Sequence, residues 1–249
     1  MRSQPTRHER VVVQMGGPDV GVVLDGDEVT IVRLPGDGGP LPLAAARNAG
    51  VAASTASSVV LLDVDCIPAP QLLDRYTAAL DRVGGLVAGP VAYLPPGATT
   101  GGLISPVRLA ELAEPHPARP VPPDGQLLRE HRYELFWSLS FAIRRAEWDR
   151  LGGFCELYCG YGGEDTDFAW TARQAGVPLH WMGGAVAWHQ YHETQNPPRQ
   201  HLAAIVRNSL QFHRRWGSWP MQGWLEAFRR EGLVRWSDDG DLLELTSGR

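Results

Sequence analysis

Two short groups of acids carry the clearest chemical potential in this chain: Asp63-Val64-Asp65, and Glu164-Asp165-Thr166-Asp167. The first follows the apolar run Val59 to Leu62, so a strand delivers two carboxylates at its C-terminal edge, where open α/β sheets bind ligands. Two carboxylates there suit a divalent cation, although Asp is also common at strand ends as a turn or capping residue. The second group follows Gly160-Tyr161-Gly162-Gly163 and opens a helix. Acids at a helix start favour the dipole, but a cap alone does not need three acids after three glycines. Such a loop leaves backbone room for a bulky ligand, and the helix end holds a carboxylate beside it. A third group, Trp188-His189-Gln190-Tyr191-His192, offers imidazoles. A histidine in an aromatic segment more often packs or faces solvent than binds metal, so on residue type alone both readings stand.

The apolar run ending in Asp-x-Asp also suits a phosphatase of the haloacid dehalogenase type, in which the first Asp attacks phosphate. One compositional fact bears on this: all 23 basic residues are Arg. A lysine-free chain excludes a Walker-type phosphate loop, a Schiff-base enzyme and a protein kinase. It also lacks the lysine with which that phosphatase family holds phosphate, which leaves the phosphatase a remote alternative.

The elements that must position these groups alternate strand and helix. Val11 to Val13 reads as a buried strand, Val20 to Leu24 and Val29 to Leu34 as strands flanking an Asp25-Gly26 hairpin turn, and Leu43 to Ala53 as helix. Val59 to Leu62 is a strand, Pro68 to Val83 a helix, and Leu86 to Leu94 a strand. Five prolines between Pro115 and Pro123 make residues 95–125 read as a long surface loop, a candidate active-site cover. Order returns at Leu135 to Ile143, with helices over Arg145 to Leu151 and Glu164 to Ala175, and strands near Val177 to Trp181 and Ala185 to His189. Helices over Arg199 to Trp216 and Met221 to Arg230 and a hairpin of Leu233 to Trp236 with Leu242 to Leu245 complete the chain. The fold class is α/β. The expected organisation is a main domain over 1–195 and a helical appendage over 196–249.

Ser140-Phe141-Ala142-Ile143-Arg144-Arg145 leads through Leu151-Gly152-Gly153-Phe154 into Gly162-Gly163-Glu164-Asp165 and on to Trp188 to His192. Ala46-Arg47-Asn48-Ala49-Gly50 lies upstream of Asp63-Val64-Asp65. This ordered set, spanning Val11 to His192, resembles the GT-A glycosyltransferases of family 2. Its second half looks like the beta-1,4-galactosyltransferases and the polypeptide N-acetylgalactosaminyltransferases, which share the Gly-Gly-Phe turn and the Gly-Gly-Glu-Asp segment. The resemblance implies a mixed sheet flanked by helices and an inverting transfer from a nucleotide sugar, UDP-linked, to a saccharide or lipid-linked acceptor. It implies that Arg47 and Asp63 border the donor, and that Asp65 with His189, preferred over His192, binds Mn2+ or Mg2+. It implies Asp165 as catalytic base, Glu164 orienting the acceptor, and Tyr161 and Gly163 lining the acceptor side; Trp137 and Tyr158 are weaker acceptor candidates. A histidine-carboxylate site suits manganese, an all-oxygen site magnesium.

Enzymes of that family begin with a strand and helix before the strand matching Val11 to Met15, a unit of about 30 residues. Ten polar residues do not supply it. The expectation is a start upstream of Met1, or else a donor site reduced to a non-catalytic nucleotide- or sugar-binding remnant. A net charge of -5 spread along the chain offers no basic field for nucleic acid. No apolar run approaches the roughly 20 residues that cross a bilayer, and Met1 to Arg10 is polar, without the apolar core expected of a signal peptide. Cys66, Cys155 and Cys159 lack paired spacing, so a cytoplasmic location is expected. Arg214, Arg215, Arg229 and Arg230 among Trp216, Trp219, Trp224 and Phe228 leave peripheral membrane contact as a second possibility to packing of those aromatics.

Overall fold

The structure, a computed structural model, describes residues 8–18, 29–36, 38–100, 105–237 and 239–246. The chain divides into two compact units, one holding Ser54–Gly153 and Ala169–His192, the other Arg10–Ala53, Phe154–Phe168 and Glu193–Arg249. Along the chain the β-branched runs become β1 (Arg10–Met15) and β2 (Val29–Leu34), and the alanine-rich stretch becomes α1 (Leu43–Ala52). Then come β3 (Ser58–Leu62), β4 (Cys66–Pro68), α2 (Leu72–Arg82), β5 (Leu86–Ala88), β6 (Val91–Tyr93), α3 (Pro106–Leu112), β7 (Glu114–Pro115) and β8 (Leu127–Glu130). β9 (Ser140–Arg144), α4 (Arg145–Leu151), α5 (Glu164–Gln174), β10 (Leu179–Met182) and β11 (Ala187–His189) follow. The last elements are α6 (Leu202–Trp216), α7 (Gln222–Arg230), β12 (Val234–Trp236) and β13 (Leu243–Leu245).

The first unit is built on two mixed sheets, in strand orders β3-β9-β5-β10-β8 and β4-β11-β6-β7. β9 lies antiparallel between β3 and β5, so both its edges are paired. Ser140 and Ala142 meet α2 on one face and Phe141 and Ile143 are buried on the other, so all four are buried instead of alternating. α2 lays Leu72, Tyr76, Ala79 and Leu80, spaced for one helical face, against Val87, Ala142 and Met182. The Tyr76 hydroxyl and Ser140 Oγ, 2.7 Å apart, satisfy one another inside that layer. The mixed sheet flanked by helices agrees with the α/β expectation.

Three expectations change. The run Leu86 to Leu94 is two strands in different sheets, because Pro90 lacks an N–H for a ladder. Gly89 also lets the backbone come so near the Ala185 carbonyl that a Cβ would sit 1.9 Å from it. Residues 95–125 are not a bare surface loop. Ser105 caps α3, which buries Leu109, and β7 pairs with β6 as an edge strand, a place where Pro115 costs no ladder bond. Arg119 is buried with its guanidinium over the Trp181 and Trp137 rings, 4.7 and 5.1 Å from their centroids. Finally, Val29–Leu34 pairs in parallel with Arg10–Met15. The expected hairpin partner Val20 to Leu24 and its turn lie outside the described residues.

In the second unit α1 packs on β1, Gly50 leaving room for the Val13 side chain 3.1 Å from where a Cβ would stand. Ile205, Trp219, Leu225, Phe228, Val234 and Leu243 form a separate core beneath α6, α7 and the antiparallel β12-β13 hairpin. Trp219 and Phe228, two of the aromatics weighed as membrane anchors, are therefore interior. No helix among the described residues is long and apolar enough to cross a membrane.

Candidate functional site

In the first unit, strand pairing brings carboxylate and imidazole together. β4 runs antiparallel to β11 with Cys66 opposite His189, so Asp65, the residue before β4, emerges beside that histidine. The Gln190 N–H donates to the Asp65 carbonyl at 2.7 Å and closes the contact. Asp65 itself sits in a tight turn: the Asp63 N–H donates to the Leu139 carbonyl, and the Asp63 carbonyl accepts from the Cys66 N–H, both at 2.9 Å. Val64, 97% exposed, is the apex of that turn.

Asp65 Oδ2 lies 3.3 Å from His189 Nε2 and 3.5 Å from His192 Nε2. One ligand atom from each residue falls within 4.8 Å of the others. Ligand atoms about 2.1 Å from a common cation stand about 3.0–3.5 Å apart, and both contacts of Asp65 with the histidines have that spacing. Asp65 Oδ1 is buried and has no hydrogen-bond partner among the described residues, an orphaned acceptor of the kind a cation would satisfy. The Asp65 carboxyl is held below its ordinary range, first by the hydrogen bond from His189. The same contact raises His189, with the Asp63 charge adding a smaller push in the same direction. Tyr93, opposite His189 in the β6-β11 ladder, packs its ring 4.9 Å from the imidazole. The structure thus brings Asp65, His189 and His192 together, where the sequence separated the two histidines by preference.

The second unit holds the other acids. Glu164 is 5% exposed, and its Oε1 accepts from Arg47 Nη1 at 3.1 Å. Arg47 also lies over the Phe154 ring, 5.2 Å from its centroid. Its neighbour Asn48 donates to the Phe154 carbonyl at 2.9 Å and accepts from the Phe154 N–H at 2.8 Å. The Arg47-Asn48 motif of α1 thus holds both the turn before the glycine loop and the acid after it. Asp165 Oδ1 accepts from the Thr166 N–H at 2.7 Å and from its hydroxyl at 3.3 Å. Burial and the adjacent Glu164 charge push the Asp165 carboxyl up to about 7. A carboxyl that titrates near neutrality is suited to taking a proton from a hydroxyl.

Asp167 has a different fate. It is buried and accepts from the Tyr158 hydroxyl at 3.0 Å, Arg215 Nη1 at 2.7 Å and the Trp216 indole at 2.8 Å. Tyr158 is thereby consumed inside the protein and is not available to a sugar. Tyr161 remains 40% exposed, stacked on His201 with centroids 4.5 Å apart and tilted against Trp224 at 5.8 Å. Gly162 and Gly163 hold φ of +90° and +93°, and a Cβ on Gly163 would stand 3.3 Å from the Tyr158 ring.

The sequence did not single out Asn208 or His201, and it weighed Arg215 and Trp216 only for membrane contact or packing, not as partners of Asp167; all four lie in the segment read as an appendage. One signal was legible: Asn208 and Ser209 interrupt the apolar stripe of Ile205 and Phe212, and a polar residue on such a stripe needs partners.

Residues 126–193 match the family described as the N-terminal domain of galactosyltransferase, a stretch that includes Glu164, Asp165, His189 and His192. No curated protein matches the chain. Among solved structures, the chain is similar to GalNAc-T7 with UDP, GalNAc and Mn2+ at 14% identity, covering 82% of this chain and 45% of that one, with a TM-score of 0.48. It is similar to the catalytic domain of Drosophila beta1,4galactosyltransferase 7 with xylobiose at 18% identity, 67% and 57% coverage and a TM-score of 0.39. The mannosyltransferase PcManGT from Pyrobaculum calidifontis, with GDP-Man and Mn2+, gives 20% identity, 73% and 44% coverage and 0.42. The chain spans about half the length of these solved chains.

Proposed function

We propose that this chain is a metal-dependent, inverting glycosyltransferase that moves a sugar from a nucleotide-sugar donor, UDP-linked, to a hydroxyl of a saccharide or lipid-linked acceptor. The observation that carries the reading is the placement of Glu164 and Asp165 in the first turn of α5, directly after the Gly162-Gly163 turn and with Glu164 paired to Arg47, inside the segment that matches the galactosyltransferase family; the upward shift of the Asp165 carboxyl agrees with it. The ordered motifs and the Asp65-His189-His192 grouping support it.

In this reading Asp65, His189 and His192 hold Mn2+ or Mg2+, and the mixed nitrogen and oxygen donors favour manganese. When bound, such a cation neutralises the charge that gathers on the departing diphosphate. Asp63 faces the nucleoside. Asp165 takes the proton of the acceptor hydroxyl; the freed oxygen bonds to the anomeric carbon as the carbon–oxygen bond to the phosphate breaks, and that electron pair leaves with the nucleoside diphosphate. Glu164 orients the acceptor, held in place by Arg47, and Tyr161 offers the acceptor an aromatic ring. A single displacement inverts the anomeric centre.

Incubating the full chain with a panel of nucleotide sugars and Mn2+, and reading release of nucleoside diphosphate, tests this. Metal-dependent turnover with at least one donor is expected. Binding without turnover across the panel would instead favour a non-catalytic nucleotide- or sugar-binding protein.

A further inference from the structure

Asn208 has no solvent exposure and stands on the face of α6 that carries Ile205 and Phe212. Its Nδ2 donates towards three carbonyls of one loop: Gly162 at 2.7 Å, Cys159 at 3.2 Å and Tyr161 at 3.4 Å. Only the NH2 end of an amide can face three carbonyl oxygens, which settles its orientation. Oδ1 is left buried with no hydrogen-bond partner among the described residues. A buried acceptor in that state lowers stability, a cost set against the bonds that Nδ2 gives the loop. The clamp ends where the helix begins, because the carbonyl of the next residue, Gly163, accepts from the Asp167 N–H at 2.9 Å. Glu164 and Asp165 are the two residues after that. Two turns further along α6, at the i+7 position on the same face, Arg215 pairs with Asp167 at 2.7 Å. The Arg207 guanidinium also donates to the Cys159 carbonyl.

We propose that Asn208 is a positioning residue for the Glu164–Asp165 pair: by tying the carbonyls of Cys159, Tyr161 and Gly162 it sets how the chain enters α5, and so makes α6 part of the reaction machinery. The proposal rests on Asp165 being the base. Reaction rate depends steeply on such placement, since an error of about 1 Å in a reacting group costs on the order of a hundredfold.

The test uses the full chain carrying Asn208→Ala or Asn208→Asp; the Asp variant keeps the size but turns an oxygen towards the carbonyls. With the donor found in the nucleotide-sugar panel, kcat is expected to fall at least about tenfold, with KM for the donor unchanged. The acid limb of the pH–rate profile is expected to move to lower pH as the loosened loop admits water to Asp165. An unchanged kcat and an unmoved acid limb would overturn the proposal. If neither variant folds, hydrogen exchange of the Asn208 side-chain amide in the unmodified protein decides: slow exchange is expected, and exchange as fast as an exposed asparagine overturns it. Turnover that survives Asp165→Asn would reject Asp165 as base and with it this role for Asn208, whereas loss of turnover in Asp165→Asn with no effect at Asn208 rejects the positioning role alone.

Discussion

In the proposed reaction Asp165 and Asp65 do different chemistry, and their surroundings differ. Burial and Glu164 lift Asp165, whereas a hydrogen bond from His189 lowers Asp65. Asp165→Asn removes a proton acceptor and almost no volume, so turnover should fall by about 10²–10⁴-fold while nucleotide affinity, read by calorimetry, stays within error. In the unmodified protein the rate should rise with pH through about 7, where the Asp165 carboxylate forms; a flat profile from pH 5 to 8 would argue against it as base. Asp65→Ala should abolish the gain in nucleotide affinity that Mn2+ confers, and equal affinities with and without Mn2+ in the unmodified protein would remove the metal site altogether. Both acid groups were legible from strand-end and glycine-loop patterns. That Asp167 is a structural hub and Asp165 is not was illegible, because two acids two residues apart on a helix point to different sides and only packing decides what each side meets.

Element by element, α1, α4, α5 and the β12-β13 pair stand where composition and turn residues put them. The glycine loop is the element most sensitive to sequence. Gly162 combines φ +90° with a site where a Cβ would lie 2.7 Å from Met221 Sδ. Gly162→Ala should therefore destabilise by about 1–3 kcal/mol, measured by urea unfolding, through backbone strain with steric crowding in addition. Where elements were misjudged, the cause is specific. Gly89 and Pro90 send one apolar run into two sheets, and between 105 and 125 Pro106 opens α3 and Pro115 lies on an edge strand, both places that tolerate a missing N–H.

For the whole molecule, the titration of Asp165 links the proposed reaction to stability. A carboxyl whose folded value, about 7, exceeds the ordinary 3.8 favours the folded state while it is protonated. That contribution is complete below about pH 4 and is lost as pH rises through about 7. Asp165→Asn should then raise the melting temperature at pH 8, by about 2–8 °C, and by less at pH 5. Equal shifts at both pH values would show that the site is not strained by its charge. Asp167 depends instead on the C-terminal segment: without Arg215 and Trp216 it would be a buried carboxylate short of two of its donors.

From the sequence alone came the α/β class, both acid pairs, the histidine segment and the transferase resemblance, because strand ends, glycine loops and helix starts are local patterns. Only the tertiary structure decided which of these groups meet. Antiparallel pairing of β4 with β11 puts His189 and His192 on Asp65. The approach of α1 gives Arg47 to Glu164. The packing of α6 gives Asn208 to the loop and Arg215 to Asp167. These partners lie far apart along the chain, and periodicity reports which face of an element is buried but not what it is buried against.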